Sequence, residues 1–448
     1  MIRLYNSLKN KIEEFIPIKE KQVSMYVCGA TVYDNMHIGN SRPVIFFDCV
    51  KRFFAYIGYK VTYVSNFTDI DDKIIKKANL EMTTEENIAE KYIKEILNTN
   101  SCLRCLPYDF NPRVTQKIPQ IIEFIQKLVE LDAAYVIKND VYFDVSRVKE
   151  YGILSNQDIE SLISGERLEV NDKKRNPIDF VLWKKTEEGL NWDSPWGKGR
   201  PGWHTECVVM INDIFKGKID IHGGGSDLKF PHHENEIAQS LCANNHTIAN
   251  YWMHNGRIDF GKEKMSKSLG NVIWANDLLD KIGCGAYRLL ILNTPYRQLL
   301  SYKEELLTQA TADYEKIRRA YTALYRNIEM TSFVEDVEIK DIELSNLKKE
   351  FIEAMSNDFN TANAITTIFK VVKLANNVLR NKNEAGYLKE VLTLLKELLS
   401  VLGIMVDLCS LTEDEKNIYK LWEQARNNKD FSKADEYRRK LVDLGILT

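Results

Sequence analysis

The chain has 448 residues, 44% of them hydrophobic and 28% charged, with a formal net charge of −3. That is the composition of an ordinary globular protein of about three domains, and no apolar run approaches the ~18 residues of a membrane span. The charge does not advertise a nucleic-acid binder, although a local basic face is enough to hold phosphates. The eight cysteines lack small-domain spacing, which points to free thiols in a reducing compartment.

Residues 1–15 lack the continuous apolar core of a signal peptide, so a cytoplasmic location is expected. Residues 23–27 form a mostly apolar run that reads as a buried strand. After it come Cys28 and then His37-Ile38-Gly39-Asn40, followed by the helical period of Val44, Phe47, Val50 and Phe54. A glycine at a helix start lets backbone approach an anion, and first-turn N–H groups favour phosphate. Cys28 sits at the strand's exit, where open parallel sheets bind ligands. Residues 61–72 read as a second parallel strand ending in a polar loop with Thr68, Asp69, Asp71 and Asp72.

Helical periodicity then covers 85–97 and 118–131, and 135–145 alternates like a hairpin with Asn139-Asp140 as its turn. Residues 171–177 read as a polar surface loop. The section from about 112 to 199 reads as an insertion between two halves of an α/β domain. The second half begins with a helix carrying Cys207. A strand at 219–221 leads into a loop, His222-Gly223-Gly224-Gly225-Ser226-Asp227, and a helix is expected from about Pro231. Another strand is expected at 251–254, then a loop with Lys264, Met265, Ser266, Lys267 and Ser268. From about 306 to 402, long amphipathic segments read as a helical bundle. Residues 412–448 are charge-rich and mostly helical.

The soft or borderline metal-ligand candidates are Cys28, Cys207, His204, His222, His232, His233 and Glu236. His232 and Glu236 are four apart on one helical face, and Zn²⁺ accepts Cys, His and carboxylate donors. Two distant cysteines make no motif by themselves, so the spacing leaves two readings open: a metal site, or small buried thiols. The pair Cys102 and Cys105 has no second pair nearby and reads as structural. Lys264 and Lys267, with Ser266 and Ser268, suit a mobile loop that neutralises a leaving pyrophosphate.

Taken together, HIGN at 37–40 and KMSKS at 264–268 resemble the two signature motifs of class I aminoacyl-tRNA synthetases. MYVCGATVYD (25–34), NFTDIDDKI (66–74), GRPGWHTEC (199–207), DIHGGGSDLKFPHHENEIAQS (220–240) and MSNDFNTANA (355–364) narrow the resemblance to the cysteinyl-tRNA synthetases. It covers nearly the whole chain in the family's motif order. It implies a Rossmann-like parallel-sheet catalytic domain in two halves (1–111 and 200–304) around a connective insertion (112–199). An all-α, tRNA-binding bundle (305–408) and a small, mostly helical anticodon-binding piece (409–448) follow.

The resemblance also implies roles. One zinc ion per chain is expected on Cys28, Cys207, His232 and Glu236. His37, Gly39 and Asn40 are expected to hold ATP phosphates, and Lys264 and Lys267 to stabilise the leaving pyrophosphate. Gly29, Thr68, Trp203 and His222 are expected to line the amino-acid pocket, with Asp227 meeting the substrate amine or ribose. ATP is expected with Mg²⁺. The implied reaction joins L-cysteine to tRNA(Cys) through cysteinyl-adenylate in a monomeric enzyme. Arg318, Arg319 and Arg326, with Tyr321 and Tyr325, suit either the tRNA backbone or a solvated basic face. Trp422, Arg426, Asp435, Arg438 and Arg439 suit unpaired anticodon bases. The chain ends where relatives carry a polar tail, so reduced anticodon discrimination is an expectation. Two alternatives stand beside this: a cysteine ligase with an amino-sugar acceptor, as in mycothiol synthesis, which shares the zinc and phosphate motifs, and a non-catalytic zinc- or RNA-binding relic, against which the intact His37, Asn40, Lys264 and Lys267 argue.

Overall fold

The first apolar run becomes strand β1 (Gln22–Val27), in which Val23, Met25, Tyr26 and Val27 are buried. A strand apolar on both faces belongs inside a covered parallel sheet. In the computed structural model, which describes residues 1–156, 174–259, 272–331, 338–381 and 384–447, that is its position. β1 lies between β2 (Lys60–Ser65) and β3 (Ile219–Gly225), and β4 (Ala249–Asn255) flanks β3. All three pairings are parallel. From the middle of the sheet, β1 leads outward to β2 and β3 leads outward to β4. The order therefore reverses between β1 and β3, and a ligand crevice forms at the carboxyl ends of such a pair.

Helix α1 (Ile38–Tyr56) buries Ile45, Phe46, Phe47, Val50, Phe53 and Phe54. Phe47 corrects one expectation. Residues 222–225 read as a glycine loop, but β3 continues through His222 to Gly225. A Cβ on Gly223 would lie 2.2 Å from the Phe47 ring. Glycine is needed there for close helix–sheet approach, not for a turn.

Three other boundaries move. The helix expected from Pro231 is α3 (Glu234–Asn244), because Phe230 is extended (φ −136°, ψ 133°) and a wide turn, Lys229–His233, precedes it. The hairpin Ala134–Ile137 and Asp140–Phe143 turns over Lys138 and Asn139, one residue earlier than expected. Both have positive φ, 50° and 73°, as a two-residue turn matched to strand twist requires. Asp71, placed in the expected polar loop, accepts the Lys73 N–H at 2.8 Å and caps a helix, Asp72–Glu81, that directly follows it.

Between β2 and β3 the chain forms a four-stranded antiparallel sheet in the order Ala134–Ile137, Asp140–Phe143, Phe180–Lys185, Gly199–Pro201, whose last strand passes the expected boundary at 199. Helix α2 (Glu206–Phe215) follows it and carries Cys207. Residues 171–173 of the expected surface loop, and the whole Lys264–Ser268 motif with Lys264 and Lys267, lie outside the described residues.

The chain divides into two compact units: Met1–Gly283 with Thr294–Lys303 and Ser356–Phe359, and Cys284–Asn293 with Glu304–Met355 and Asn360–Thr448. The first holds both sheets named above. In the second, helices Glu304–Thr331, Ile342–Ser356, Thr361–Arg380 and Ala385–Val401 are the expected long segments. Arg326 is buried there, bonded to Glu329 and to the Cys409 carbonyl. It is a structural cation, and Arg318 pairs with Glu315. Helices Glu413–Asn427 and Phe431–Asp443 close on Leu411, Tyr419, Leu441 and Ile446, with Trp422 against them and Arg426 over its ring. None of the eight cysteines is in a disulfide.

Candidate active site

Cys28 leaves β1 at the reversal point, held by its N–H to the Gly223 carbonyl of β3. Beyond it, residues 30–32 run beside Thr68, and the Gly29 N–H donates to Asn66 Oδ1 at 2.9 Å. A Cβ on Gly29 would lie 1.6 Å from the Asn66 carbonyl oxygen, so this approach admits glycine alone. Cys207 arrives from the first turn of α2, His232 from the turn before α3, and Glu236 from the first turn of α3.

Their donor atoms meet. One atom each from Cys28, Cys207, His232 and Glu236 lies within 4.8 Å of all the others. Cys28 Sγ is 3.5 Å from Cys207 Sγ, from His232 Nε2 and from Glu236 Oε1. Cys207 Sγ is 3.6 Å from His232 Nε2, and His232 Nε2 is 2.8 Å from Glu236 Oε1. A tetrahedral zinc with Zn–S of about 2.3 Å and Zn–N or Zn–O of about 2.05 Å has edges of roughly 3.8, 3.6 and 3.4 Å. The sulfur edges match closely. The His232–Glu236 edge is short, as it is for an imidazole hydrogen-bonded to a carboxylate. The donor chemistry and spacing fit a divalent zinc ion.

The charges fit as well. A hydrogen bond with Cys28 draws the Cys207 thiol down to about 6 against its burial, with His232 adding to the effect. Burial pushes Cys28 well up, and the neighbouring Cys207 adds to that. Burial alone would raise Glu236, but His222 and His232 outweigh it and hold the carboxyl well below its usual range. A buried group with two thiols and a carboxylate is a cation site in search of charge balance.

His222 and His233, with Cys28 and Glu236, form a second set within the same span. Those imidazoles already have partners. His222 Nε2 meets Glu236 Oε2 at 2.6 Å. His233 meets Cys28 Sγ at 3.3 Å and His254 at 2.8 Å. His222 stacks on Trp252 (4.5 Å, 17°), and its Nδ1 is buried without a hydrogen-bond partner among the described residues. His204 Nδ1 is 3.1 Å from His232 Nδ1. Trp203 stacks on His232 and stays 40% exposed. Thr68 donates to Glu206 Oε2 at 2.9 Å and accepts from Asn66 Nδ2 at 3.3 Å. Asp227 is exposed beside Gly225 and away from these hydrogen bonds.

His37 is the N-cap of α1, its Nδ1 accepting the Gly39 N–H at 3.1 Å. That bond leaves the ring proton on Nε2. Asn40 is exposed on the first turn of α1. Sequence reasoning passed over Asn66, Glu206, His254 and Ser7. Asn66 lay inside a recognised motif, and a polar residue within the apolar strand at 251–254 was the signal for His254.

Residues 14–312 match the family described as tRNA synthetases class I (C) catalytic domain, and residues 350–406 match the DALR domain. The chain is 44% identical over 448 residues to the cysteine–tRNA ligase of Acholeplasma laidlawii (strain PG-8A), spanning 100% of both chains. It is 44% identical over 454 residues to that of Clostridioides difficile (strain 630), spanning 100% of this chain and 97% of the relative. Among solved structures, Mycobacterium tuberculosis methionyl-tRNA synthetase in complex with methionyl-adenylate shares the fold. Its TM-score is 0.61 at 14% identity, over 92% of this chain and 96% of that one.

Proposed function

Because the chain belongs to the cysteine–tRNA ligase family of class I aminoacyl-tRNA synthetases, we propose that it joins L-cysteine to tRNA(Cys) through a cysteinyl-adenylate. It is an ATP-dependent enzyme of tRNA aminoacylation. The observation that carries the amino-acid assignment is the Cys28–Cys207–His232–Glu236 cluster at the β1–β3 reversal. Cys28, Cys207, His232 and Glu236 would hold a zinc ion there, which would supply a Lewis acid favouring a substrate thiolate over a serine hydroxyl.

The chain's own residues do the remaining work. Trp203 walls one side of His232, and the unfilled His222 Nδ1 offers an acceptor to a substrate N–H. Gly29 and Thr68 line the opposite strand exits, and Asp227 lies at the end of β3. The cysteine carboxylate attacks the α-phosphate of ATP in line, and pyrophosphate leaves. His37 Nε2–H and the Asn40 side chain hold phosphate oxygens, and Gly39 allows their close approach. By the motif resemblance, Lys264 and Lys267 neutralise the leaving group, and Mg²⁺ accompanies ATP. The terminal adenosine hydroxyl of the tRNA then attacks the acyl carbon, the acyl–phosphate bond breaks, and AMP leaves with the hydroxyl proton passing to solvent or phosphate. Positioning and charge stabilisation suffice, so no covalent enzyme intermediate forms. Residues 1–111 and 200–304 are assigned to catalysis, 112–199 to the connective insertion, 305–408 to tRNA binding and 409–448 to the anticodon. A cytoplasmic monomer is the working state. No helix among the described residues is long and apolar enough to cross a membrane.

The test is cysteine-dependent ATP–pyrophosphate exchange with serine as control, before and after zinc chelation. Exchange with cysteine alone, lost on chelation, supports the reading. Equal exchange with serine, or full exchange in metal-free protein, overturns it. Charging of tRNA(Cys) against an amino-sugar acceptor then separates the ligase alternative.

A further inference from the structure

A row of buried polar groups runs from Cys28 to the N-terminal segment. His233 Nε2 is 3.3 Å from Cys28 Sγ. His233 Nδ1 is 2.8 Å from His254 Nε2, and His254 Nδ1 is 2.9 Å from Ser7 Oγ. His233, His254 and Ser7 are 0%, 3% and 4% exposed. Ser7 is pinned by its N–H to the Trp252 carbonyl at 2.8 Å, two residues before His254 on β4. The two histidine rings are 5.0 Å apart, and Trp252 flanks His233 at 5.3 Å. Each contact lies at hydrogen-bond distance, and His233, His254 and Ser7 are buried.

We propose that Ser7, His254 and His233 form a one-way hydrogen-bond relay that ends on the Cys28 sulfur and sets how tightly that thiolate holds the metal. The proposal rests on reading the cluster as a zinc site. A metal-bound thiolate has lone pairs and no proton, so it only accepts. His233 must then present Nε2–H to Cys28, which leaves its Nδ1 as an acceptor. His254 fills that acceptor with Nε2–H, which leaves its own Nδ1 as an acceptor. Among the described residues, the hydrogen aimed at that atom is that of the Ser7 hydroxyl, 2.9 Å away. The sulfur fixes the direction, and the serine supplies the terminal donor. Both imidazoles remain neutral, each with one proton.

The consequence reaches the metal. An N–H···S bond disperses charge on the sulfur and fixes the orientation of the group behind it. If Ser7 loses its hydroxyl, His254 Nδ1 is a buried acceptor with no donor. The escape is the other tautomer, which reverses His233 and turns a lone pair toward the thiolate. A change at Ser7 is therefore felt at Cys28, three hydrogen bonds away. Ser7, His254 and His233 are positioning residues, since they act on the site through Cys28.

The test uses full-length, zinc-loaded protein. Zinc affinity is read by competition with a chromogenic chelator, and the sulfur-to-metal charge-transfer band is read after cobalt replacement. Ser7→Ala and His254→Phe should each weaken zinc binding by about tenfold or more and shift the cobalt band. Ser7→Thr should keep wild-type affinity. Because the groups act in series, Ser7→Ala/His254→Phe should cost no more than the worse single change. Wild-type affinity in folded Ser7→Ala, or additive losses in the double variant, overturns the relay. Should His254→Phe fail to fold, the contrast between Ser7→Ala and Ser7→Thr decides alone. Failure of the wild-type protein to bind zinc refutes the metal reading itself, whereas tight zinc in both wild type and Ser7→Ala refutes only the relay.

Discussion

Trp203 lies over His232 with ring centroids 4.3 Å apart and planes 27° from parallel, yet 40% of its surface is exposed. A tryptophan that only filled the core would be covered on all sides. This one covers a proposed metal ligand with one face and leaves the rest to solvent, as a pocket wall does. Trp203→Ala should raise KM for cysteine about tenfold in pyrophosphate exchange, which corresponds to ~1.4 kcal/mol, with KM for ATP within about twofold. Trp203→Phe should keep most of the stacking. Parallel rises in both Michaelis constants would count against the assignment.

Cys207 is buried beside Cys28 and His232 and is the thiol most readily ionised in the cluster. Cys207→Ser replaces a soft donor with a hard one at nearly the same size. The variant should purify with much less than one zinc per chain by elemental analysis. Its affinity for cysteine should fall about tenfold more than its affinity for ATP. Equal losses for both substrates would point to misfolding instead of a lost thiol seat.

Much of the scaffold was legible because its signals are local. β1 is a continuous apolar run since both of its faces are buried, and the long helices carry an unbroken 3.6-residue period. Short-range chemistry misled where the cause lay far off in sequence. Gly223 looked like a turn residue because its reason, Phe47, is on another element. Asn66, Glu206, Ser7 and His254 carried no spacing signal at all. The bonds Gly29–Asn66, Thr68–Glu206 and Ser7–His254 span 37, 138 and 247 residues. The Cys28–Cys207 contact spans 179, so only family resemblance joined those two in advance.

Gly223 offers a direct check on the helix–sheet contact behind the site. A Cβ placed there meets three Phe47 ring atoms at 2.2–2.9 Å, well inside van der Waals contact. Gly223→Ala should destabilise the protein by ~1–3 kcal/mol, the usual range for overpacking. Phe47→Leu should recover part of that loss when combined with it, because the two changes share one volume. Thermal or urea unfolding of the four proteins gives the coupling. Purely additive losses would mean that Phe47 is not the obstacle.

His254 supplies a pH dependence with a definite sign. Burial, with Lys229 and His222 adding to it and Glu236 opposing, holds its imidazole well below the ordinary value. His233 and Ser7 are its hydrogen-bond neighbours, and the Trp252 backbone anchors Ser7. In the unfolded chain the ring takes a proton near pH 6.5. Just below that pH the unfolded state binds a proton that the folded state refuses, so acid favours unfolding. The contribution is fully present above about pH 6.5. It is lost as pH falls, by up to ~1.4 kcal/mol per pH unit for this one group. In metal-free protein, urea midpoints at pH 7.5, 6.5 and 5.5 should therefore decline more steeply for wild type than for His254→Gln, whatever their absolute stabilities. Equal slopes would mean that His254 titrates normally in the fold and is not the sealed, neutral ring that the hydrogen bonds to His233 and Ser7 describe.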